Sequence, residues 1–184
     1  MNCTPLAANI DNCSATPQVG FEEEALIIAI DDIASKTITG NLVTGITKKV
    51  GTVAHTIKVK QALKPYDGTT IKSAQKLAAV LFDGETKLIL LGNNPTVAEQ
   101  VAQLSAGRYA IIFKQKQILD NGKYLIMGIE TGLKFGEATF TAYGDAAGWE
   151  VTLKEEMAIN AANFFYVGGS VGATDAAYEA LKSV

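Results

Sequence analysis

The sequence predicts a mainly β fold of the α+β class, with one internal helix and an arm at each end. The chain has 184 residues, which is enough for one domain with its own apolar core. A hydrophobic content of 48% against 19% charged residues is typical of a globular chain. Most apolar residues form short runs or alternate with polar ones, and glycines separate the runs, as in strands joined by turns. We therefore divide the chain into an N-terminal arm (1–20), a β-rich domain (21–167) and a C-terminal extension (168–184).

The first twenty residues predict an irregular arm, because Pro5, Pro17 and Gly20 interrupt a polar stretch. Cys3 and Cys13 lie in this arm, and their spacing leaves open a reduced structural pair or a disulfide. A metal site would need further ligands. No signal peptide is expected, since a basic start and an apolar stretch are missing. The apolar runs of the chain are too short to span a bilayer.

The segment 21–63 predicts strands. Residues 22–24 are three glutamates, which we interpret as a solvated turn. The apolar run 25–30 predicts a buried strand that ends at Asp31 and Asp32. Residues 37–63 continue in the same way, with apolar side chains separated by glycines, threonines and lysines.

Two Asp-Gly pairs predict turns between residues 64 and 91. Asp67-Gly68 lies in a polar stretch that we expect to be a loop over 64–70. Asp83-Gly84 separates the apolar runs 77–82 and 87–91, which is the pattern of a hairpin with a two-residue turn. The alanines within 74–79 leave a helical start open there.

One helix is predicted over 95–106. Asn94 suits the N-cap and Pro95 the first helical position. Gly107 is expected to end the helix in the left-handed conformation. One face is apolar, formed by Val97, Val101 and Leu104.

A hairpin is predicted next, from strands over 109–113 and 123–129. Asn121-Gly122 is the expected positive-φ turn between them. A further strand is expected over 137–142 and a loop over 143–148. The strand 149–154 then places three apolar side chains on one face, namely Trp149, Val151 and Leu153.

The C-terminal segment predicts a short strand, a hinge and a helix. The aromatic run 164–167 indicates the strand, and 168–172 is glycine-rich. Residues 175–184 are predicted to form a helix with Tyr178 and Leu181 on one side, and so short a helix needs a partner surface.

The chemistry of an enzyme is missing from these patterns. An acid–base or nucleophilic mechanism needs positioned groups with tuned pKa values, and the single histidine, His55, has no nucleophile context. Its parity with Val53 and Ile57 favours a core or interface histidine. Asp31 and Asp32 lack the further oxygen ligands of a calcium loop. The glycine-rich stretches GITKKVG and GGSVG lack the context of a phosphate or dinucleotide site. We therefore expect no enzyme activity and no catalytic, cofactor-binding or metal-binding residues.

The charge balance argues against an ordinary nucleic-acid-binding protein. The net charge is −3, and Arg108 is the only arginine, whereas a phosphate-binding surface is basic and rich in arginine. Five lysines could form a local basic patch: Lys48, Lys49, Lys58, Lys60 and Lys64. The last three alternate along the chain like the exposed face of a strand, which favours a solvated face.

The segment 94–167 resembles a known group of proteins. Its order is a helix, the stretch GRYAIIFKQKQILDNGKYLIMGIETGLKFG, a strand rich in Ala and Thr, the loop YGDAAGW and then EVTL. This order is similar to small virion structural proteins from phages of Bacteroidetes, including crAss-like phages. Cys3 and Cys13 match the two N-terminal cysteines often found in that group. The N-terminal arm matches loosely, the stretch 37–90 only in general character, and the extension 168–184 does not match.

The resemblance implies a tail-tube or tail-ring protein. Its fold would be a β-sandwich or rolled barrel with one flanking helix. Its copies would form six-fold rings, and stacked rings would form the channel for DNA ejection. The partners would be other copies of the chain and other tail or neck proteins of the virion, with no membrane involved. DNA would pass without specific binding, and the extension 168–184 could dock on a neighbouring subunit.

Two alternatives remain at this point. A neck or head-completion ring, or a capsid decoration protein, would share the composition and the assembly behaviour. A non-viral surface binding module is the second alternative, and it predicts a secretion signal.

Overall fold

The computed structural model describes residues 21–58, 66–76, 79–92, 94–116, 120–141 and 148–183. These residues form eleven strands in one sheet and two α-helices, which confirms the mainly β prediction. The predicted N-terminal arm lies outside the described residues, together with Cys3, Cys13, Lys60 and Lys64.

Strands make up most of the described chain, and each of the two helices follows a strand. The strands are β1 (Phe21–Ala29), β2 (Ile33–Thr39), β3 (Leu42–Lys48), β4 (His55–Lys58), β5 (Tyr66–Lys76), β6 (Ala79–Leu91), β7 (Arg108–Gln115), β8 (Tyr124–Met127), β9 (Leu133–Thr141), β10 (Gly148–Ala158) and β11 (Asn163–Phe165). The helices are α1 (Pro95–Ala106) and α2 (Val171–Leu181), and a 3₁₀ turn spans Ile30–Asp32. Pairing is antiparallel throughout, except between β3 and β11.

Strand β7 is the centre of the sheet. The sheet runs in the order β2-β3-β11-β8-β7-β9-β10-β6-β5. One edge of β7 pairs with β1, which in turn pairs with β4. Its other edge pairs with β8 along Ile111–Lys114 and with β9 at Arg108 and Tyr109. Strands β8 and β9 therefore lie one after the other along this edge.

The central strands are buried on both faces, which explains their continuous apolar sequences. Alternate residues of β1, β7 and β8 enter two different clusters. The first cluster packs against β3, β11 and α2, and contains Leu26, Ile28, Val43, Ala54, Ala110, Ile112, Tyr124, Ile126, Ile129, Phe165, Tyr178 and Leu181. The second packs against β6, β9, β10 and α1, and contains Ala25, Ile27, Leu88, Ile111, Phe113, Leu125, Met127, Leu133, Val151 and Leu153.

Helix α1 has the predicted bounds, but its end differs from the prediction. Asn94 caps it, since its Oδ1 accepts a hydrogen bond from the Val97 N–H at 3.0 Å. Gly107 is extended rather than left-handed, with φ −117°. A Cβ at this position would lie 2.5 Å from the Tyr109 hydroxyl oxygen, so the glycine allows the tyrosine ring to approach. That hydroxyl donates to the Gln103 carbonyl oxygen at 2.7 Å and ties the helix to β7.

Both Asp-Gly predictions are wrong. Asp67-Gly68 lies inside β5, where a register shift between Tyr66 and Gly68 accommodates the extra residue as a bulge. Asp83-Gly84 lies inside β6, and the β5–β6 hairpin closes between Lys76 and Ala79. Gly84 is needed for a close approach instead of a turn, since a Cβ there would lie 2.8 Å from the Met127 Cε.

The hairpin of β7 and β8 is confirmed, although its turn is not the predicted one. Neither Asn121 nor Gly122 is among the positive-φ residues of the described segments. The Asp120 carboxylate accepts from the Gly122 N–H at 2.9 Å, and the Asp120 carbonyl oxygen from the Lys123 N–H at 3.1 Å. An Asp side chain therefore organises this turn.

The C-terminal segment packs onto its own chain instead of extending from it. Ser170 caps α2 through its Oγ, which accepts from the Ala173 N–H at 3.2 Å. Tyr178 and Leu181 are buried in the first cluster, as their shared side predicted. The fold thus has two flanking helices, one on each cluster, where the resemblance implied one.

Candidate assembly surface

The residues considered for metal or acid–base chemistry do not come together. His55 is exposed at the start of the edge strand β4, opposite Ile27, so its assignment to an inward face is wrong. Asp31 lies 3.7 Å from Arg108 in an exposed ion pair. No group of three or more His, Cys, Asp or Glu side chains is assembled within the described residues. Among them there is also no helix with the length and apolar character needed to cross a membrane.

The predicted solvated turn at 22–24 belongs to strand β1 instead, and two of its glutamates form ion pairs. Glu22 forms an ion pair with Lys114 at 2.8 Å, and Glu24 forms one with Lys182. Lys48, one of the five lysines of the possible basic patch, donates from its Nζ to the Leu181 and Ser183 carbonyl oxygens. It thereby neutralises the C-terminal end of α2.

Helix α2 is held on the sheet by a partly buried, hydrogen-bonded cluster of Lys123, Tyr124 and Asp175. The Asp175 carboxylate accepts from Lys123 Nζ at 2.7 Å and from the Tyr124 hydroxyl at 2.6 Å. Burial alone would raise the Asp175 pKa, but the hydrogen bonds and positive charge of Lys123 outweigh it and lower the pKa. Burial and the adjacent Asp175 carboxylate raise the Tyr124 pKa, so its hydroxyl stays a donor.

A second ion pair closes the other end of α2. Lys182 pairs with Glu24 of β1 and with Glu179 at 2.8 Å, and its Nζ lies 4.8 Å from the centre of the Tyr178 ring. Burial would lower the Lys182 pKa, but the two carboxylates raise it overall. These contacts fix the helix rather than form a site for a ligand.

Glu130 organises the end of β10 and the connection to β11. Its carboxylate accepts from the Ile159 N–H at 2.5 Å and from the Nδ2 atoms of Asn160 and Asn163, each at 2.8 Å. Burial would raise the Glu130 pKa, but these hydrogen bonds outweigh it and lower the pKa. The charged carboxylate is thus satisfied within its own chain.

Glu155 of β10 binds the turn that contains Gly128 and Thr131. Its side chain is buried on the face of Val151 and Leu153, and Oε2 accepts from the Gly128 N–H at 2.8 Å. Oε1 lies 3.4 Å from both the N–H and the hydroxyl of Thr131. The turn between β8 and β9 is therefore locked to β10.

Two large apolar side chains are exposed beside these carboxylates, Met157 at 45% and Ile159 at 74%. A register shift between Glu155 and Ala158 forms a bulge in β10, and Met157 within it has φ 63°. It is the single residue other than glycine with positive φ in the described segments. We call Met157 and Ile159 the strand-end patch.

The sheet has three strands that pair on one edge only within the described residues: β2, β4 and β5. Strand β2 has register shifts at Ile33/Ser35 and at Thr37/Ile38, and such bulges keep another strand from pairing. Strand β4 has four residues. Strand β5 is regular over nine consecutive pairs, from Gly68 to Lys76. Among the described strands, it has the longest regular edge without a partner strand.

The β5–β6 hairpin extends beyond the rest of the sheet. The pairing of β6 with β10 ends at Phe82, opposite Ala158, so the β6 residues from Ala79 to Leu81 pair with β5 alone. At 3.3–3.4 Å per residue this overhang is roughly 10 Å long. Its base lies at the strand-end patch.

The outward face of β6, β9 and β10 carries mixed charges. Lys87 forms an ion pair with Glu150 at 2.9 Å, and Lys154 lies 3.9 Å from Glu85. Both are cross-strand pairs of partly exposed side chains. Lys134 and Glu137 of β9 extend the face with one further charge of each sign.

The sequence did not single out Glu130, Glu155, Asp175 or Met157. Glu155 had a usable signal, because it continues the parity of Val151 and Leu153 on the inward face. The others depend on contacts distant in sequence. Comparison with family models, with curated proteins and with solved structures finds no significant match.

Proposed function

We propose that this chain is a structural protein of a phage virion, a tail tube protein. Its copies assemble into hexameric rings, and the rings stack around the channel through which DNA is ejected. The resemblance of residues 94–167 to virion proteins supplies the ring number and the virion setting. The partners would be further copies and, at the tube ends, other tail or neck proteins.

The free edge of β5 is the observation that carries the proposal. A long regular edge presents unpaired N–H and C=O groups, and in a monomer it is a site of aggregation. Natural proteins blunt such edges, as the bulges of β2 do, yet β5 stays regular from Gly68 to Lys76. A neighbouring subunit that covers β5 removes this liability.

Copies can form a ring if the surface of the neighbouring subunit that covers β5 is a surface other than β5. Such a contact is head-to-tail, and repeated copies then close into a ring if the rotation per subunit allows it. The free ends of the sheet, β2 and β5, lie at opposite ends of the strand order, so each subunit has distinct surfaces at its two sides. Assembly of this kind needs no catalytic group.

Electron microscopy of the purified full chain in negative stain tests the proposal. We expect rings with six-fold symmetry and tubes of constant width. The edge variant Thr69→Lys/Thr70→Lys should sediment as monomer, because charged side chains on an edge strand disfavour its pairing with another strand. The matched variant Ser35→Lys/Thr37→Lys changes exposed residues of the bulged strand β2, and it should form rings.

Monomers of the wild-type chain at high concentration would contradict the proposal. Trimers would favour a capsid decoration protein, and single rings of twelve would favour a neck protein. Ring formation by the β5 variant would show that another surface carries the contact.

A further inference from the structure

The turn that leads into β8 contains Asn121, the only asparagine of the chain that precedes a glycine. The side-chain amide of an asparagine can be attacked by the backbone nitrogen of the next residue, which closes a succinimide ring. A side chain on that next residue hinders the attack, and glycine has none. Asn121 is exposed, so water reaches its amide. Sequence and exposure together therefore make Asn121 chemically susceptible.

A carboxylate is already bound to the nitrogen that would attack. Asp120 Oδ1 accepts a hydrogen bond from the Gly122 N–H at 2.9 Å, the contact by which this aspartate organises the turn. A general base acts on a nucleophile when the two heavy atoms are within about 2.6–3.2 Å. The same contact therefore has the geometry of a nucleophile and its base.

Further hydrogen bonds hold these two groups in place. The Lys123 N–H donates to the Asp120 carbonyl oxygen at 3.1 Å, and Gln115 Nε2 donates to the Gly122 carbonyl oxygen at 2.8 Å. The Gln115 N–H donates to the Lys123 carbonyl oxygen, also at 2.8 Å. The base and the attacking nitrogen are thus positioned by the fold before any reaction, which lowers the entropic cost of bringing them together.

We propose that Asn121 is a site of spontaneous deamidation in the folded protein, with Asp120 as the general base. The Gly122 nitrogen forms a bond to Asn121 Cγ, and its proton passes to the Asp120 carboxylate. The bond between Cγ and Nδ2 then breaks, and ammonia leaves with the proton that Asp120 returns. Water opens the succinimide at one of its two carbonyl carbons, and the product is aspartate or isoaspartate.

The modification changes the turn next to the contact that holds α2. It adds one negative charge to a chain of net charge −3. In the isoaspartate product the main chain runs through the side-chain carbon of residue 121, so the backbone between Asp120 and Lys123 becomes longer. Lys123 binds Asp175 of α2 through its Nζ at 2.7 Å. The turn thus alters with the age of the protein, and this inference does not depend on the proposed function.

The variant Asp120→Asn tests the role of the base. Its side-chain oxygen can still accept from the Gly122 N–H, so the turn is retained, but an amide does not take up the proton. Equal thermal midpoints of the variant and the wild type check the fold. The full chain is incubated at neutral pH, and peptide mass spectrometry with fragmentation locates each deamidated residue over time.

We expect Asn121 to deamidate in the wild type and at least about tenfold more slowly in folded Asp120→Asn, because a positioned base is removed. Asn41 is the internal control, since it is exposed but precedes Leu42, and it should keep its amide in both proteins. In urea the turn is lost, so Asn121 should react at equal rates in the two chains.

Three results would overturn the inference. An intact Asn121 in the aged wild type, or a rate no higher than that of Asn41, would exclude the site. Equal rates in the two folded proteins would exclude Asp120 as the base. A difference that persists unchanged in urea would assign the effect to local sequence instead of the folded turn.

Discussion

Gly128 occupies a position where both conformation and space require glycine. Its φ is 77°, and a Cβ would overlap the Tyr109 carbonyl oxygen and lie 2.8 Å from Leu133 Cγ. We expect Gly128→Ala to lower the free energy of unfolding by more than about 3 kcal/mol, because strain and overlap add. Gly40→Ala is the control, since φ there is 61° but nothing lies within 4 Å, and it should cost about 1–2 kcal/mol. Urea denaturation measures both, and equal costs would contradict this account.

The buried hydroxyl of Thr174 connects α2 to the residues that precede the helix. Its Oγ1 accepts from the Val167 N–H at 2.9 Å and donates to the Ser170 carbonyl oxygen at 2.8 Å, and the residue is 1% exposed. Thr174→Val keeps the shape but leaves that N–H without an acceptor, which should cost about 1–3 kcal/mol. The exposed Thr139→Val should stay within about 0.5 kcal/mol. Thermal unfolding of the two variants decides, and a neutral Thr174→Val would show that another group satisfies Val167.

Single glycines also show where prediction from sequence failed. Asp-Gly at 83–84 has the composition of a turn, but Gly84 is needed because Met127 and Glu155 pack over β6. Gly107 likewise follows from the position of Tyr109 rather than from helix capping. Local sequence records that a small residue is required, but it does not record whether a turn or a neighbouring side chain is the reason.

At the scale of elements, the docking of α2 should depend on pH. The folded-state pKa of Asp175 lies below its ordinary value, so its stabilisation is present above about pH 4 and is lost as pH falls through the lower folded pKa. Asp175→Asn should therefore reduce the loss of stability between about pH 5 and pH 2. At pH 7 it should cost about 1 kcal/mol, a low value because the side chain of Asp175 is 43% exposed.

Urea denaturation across this pH range measures the effect. Glu99→Gln on α1 is the control, because Glu99 is exposed and distant from α2 in sequence, and it should keep the wild-type dependence. An unchanged acid dependence in Asp175→Asn would contradict the assigned role of this carboxylate.

The sequence pattern predicted strands that are buried on one face or on both faces, but it did not predict where these strands begin and end. The continuous run of β1 and the alternation at Trp149, Val151 and Leu153 follow directly from which faces are covered. The length of β6 depends on its pairing with β10, which is distant in sequence. The length of β5 depends on its pairing with β6, and this pairing tolerates a bulge at Asp67. The predicted loop over 64–70 was therefore wrong from residue 66 onward.

For the whole molecule, the candidate assembly surface could not be derived from local patterns. An edge strand is defined by which strands pair with it, and β5 resembles the paired strands in composition. Met157 and Ile159 continue the polar–apolar alternation of β10, and only the bulge after Glu155 turns them outward. The absence of an acid–base pair in the sequence limited the classes of function, but it gave no location for a contact.

The charges of the whole molecule give a last prediction, on passage of DNA. Lys87 and Lys154 on the outward face are each paired with a carboxylate, Glu150 and Glu85. The net charge is −3, so we expect no binding of duplex DNA at about 150 mM salt. Glu85→Gln/Glu150→Gln removes these partners, and DNA binding should appear at low salt with a log–log salt slope of about −2, as for two neutralised phosphates.

A mobility-shift titration at several salt concentrations measures this slope. Glu99→Gln/Glu156→Gln is the matched control, since it changes the net charge equally at exposed positions that form none of these pairs. Equal binding by both variants would mean that net charge alone excludes DNA. Tight binding by the wild type would contradict the proposed role as a channel component, because a channel wall that binds duplex DNA tightly would hold the DNA back.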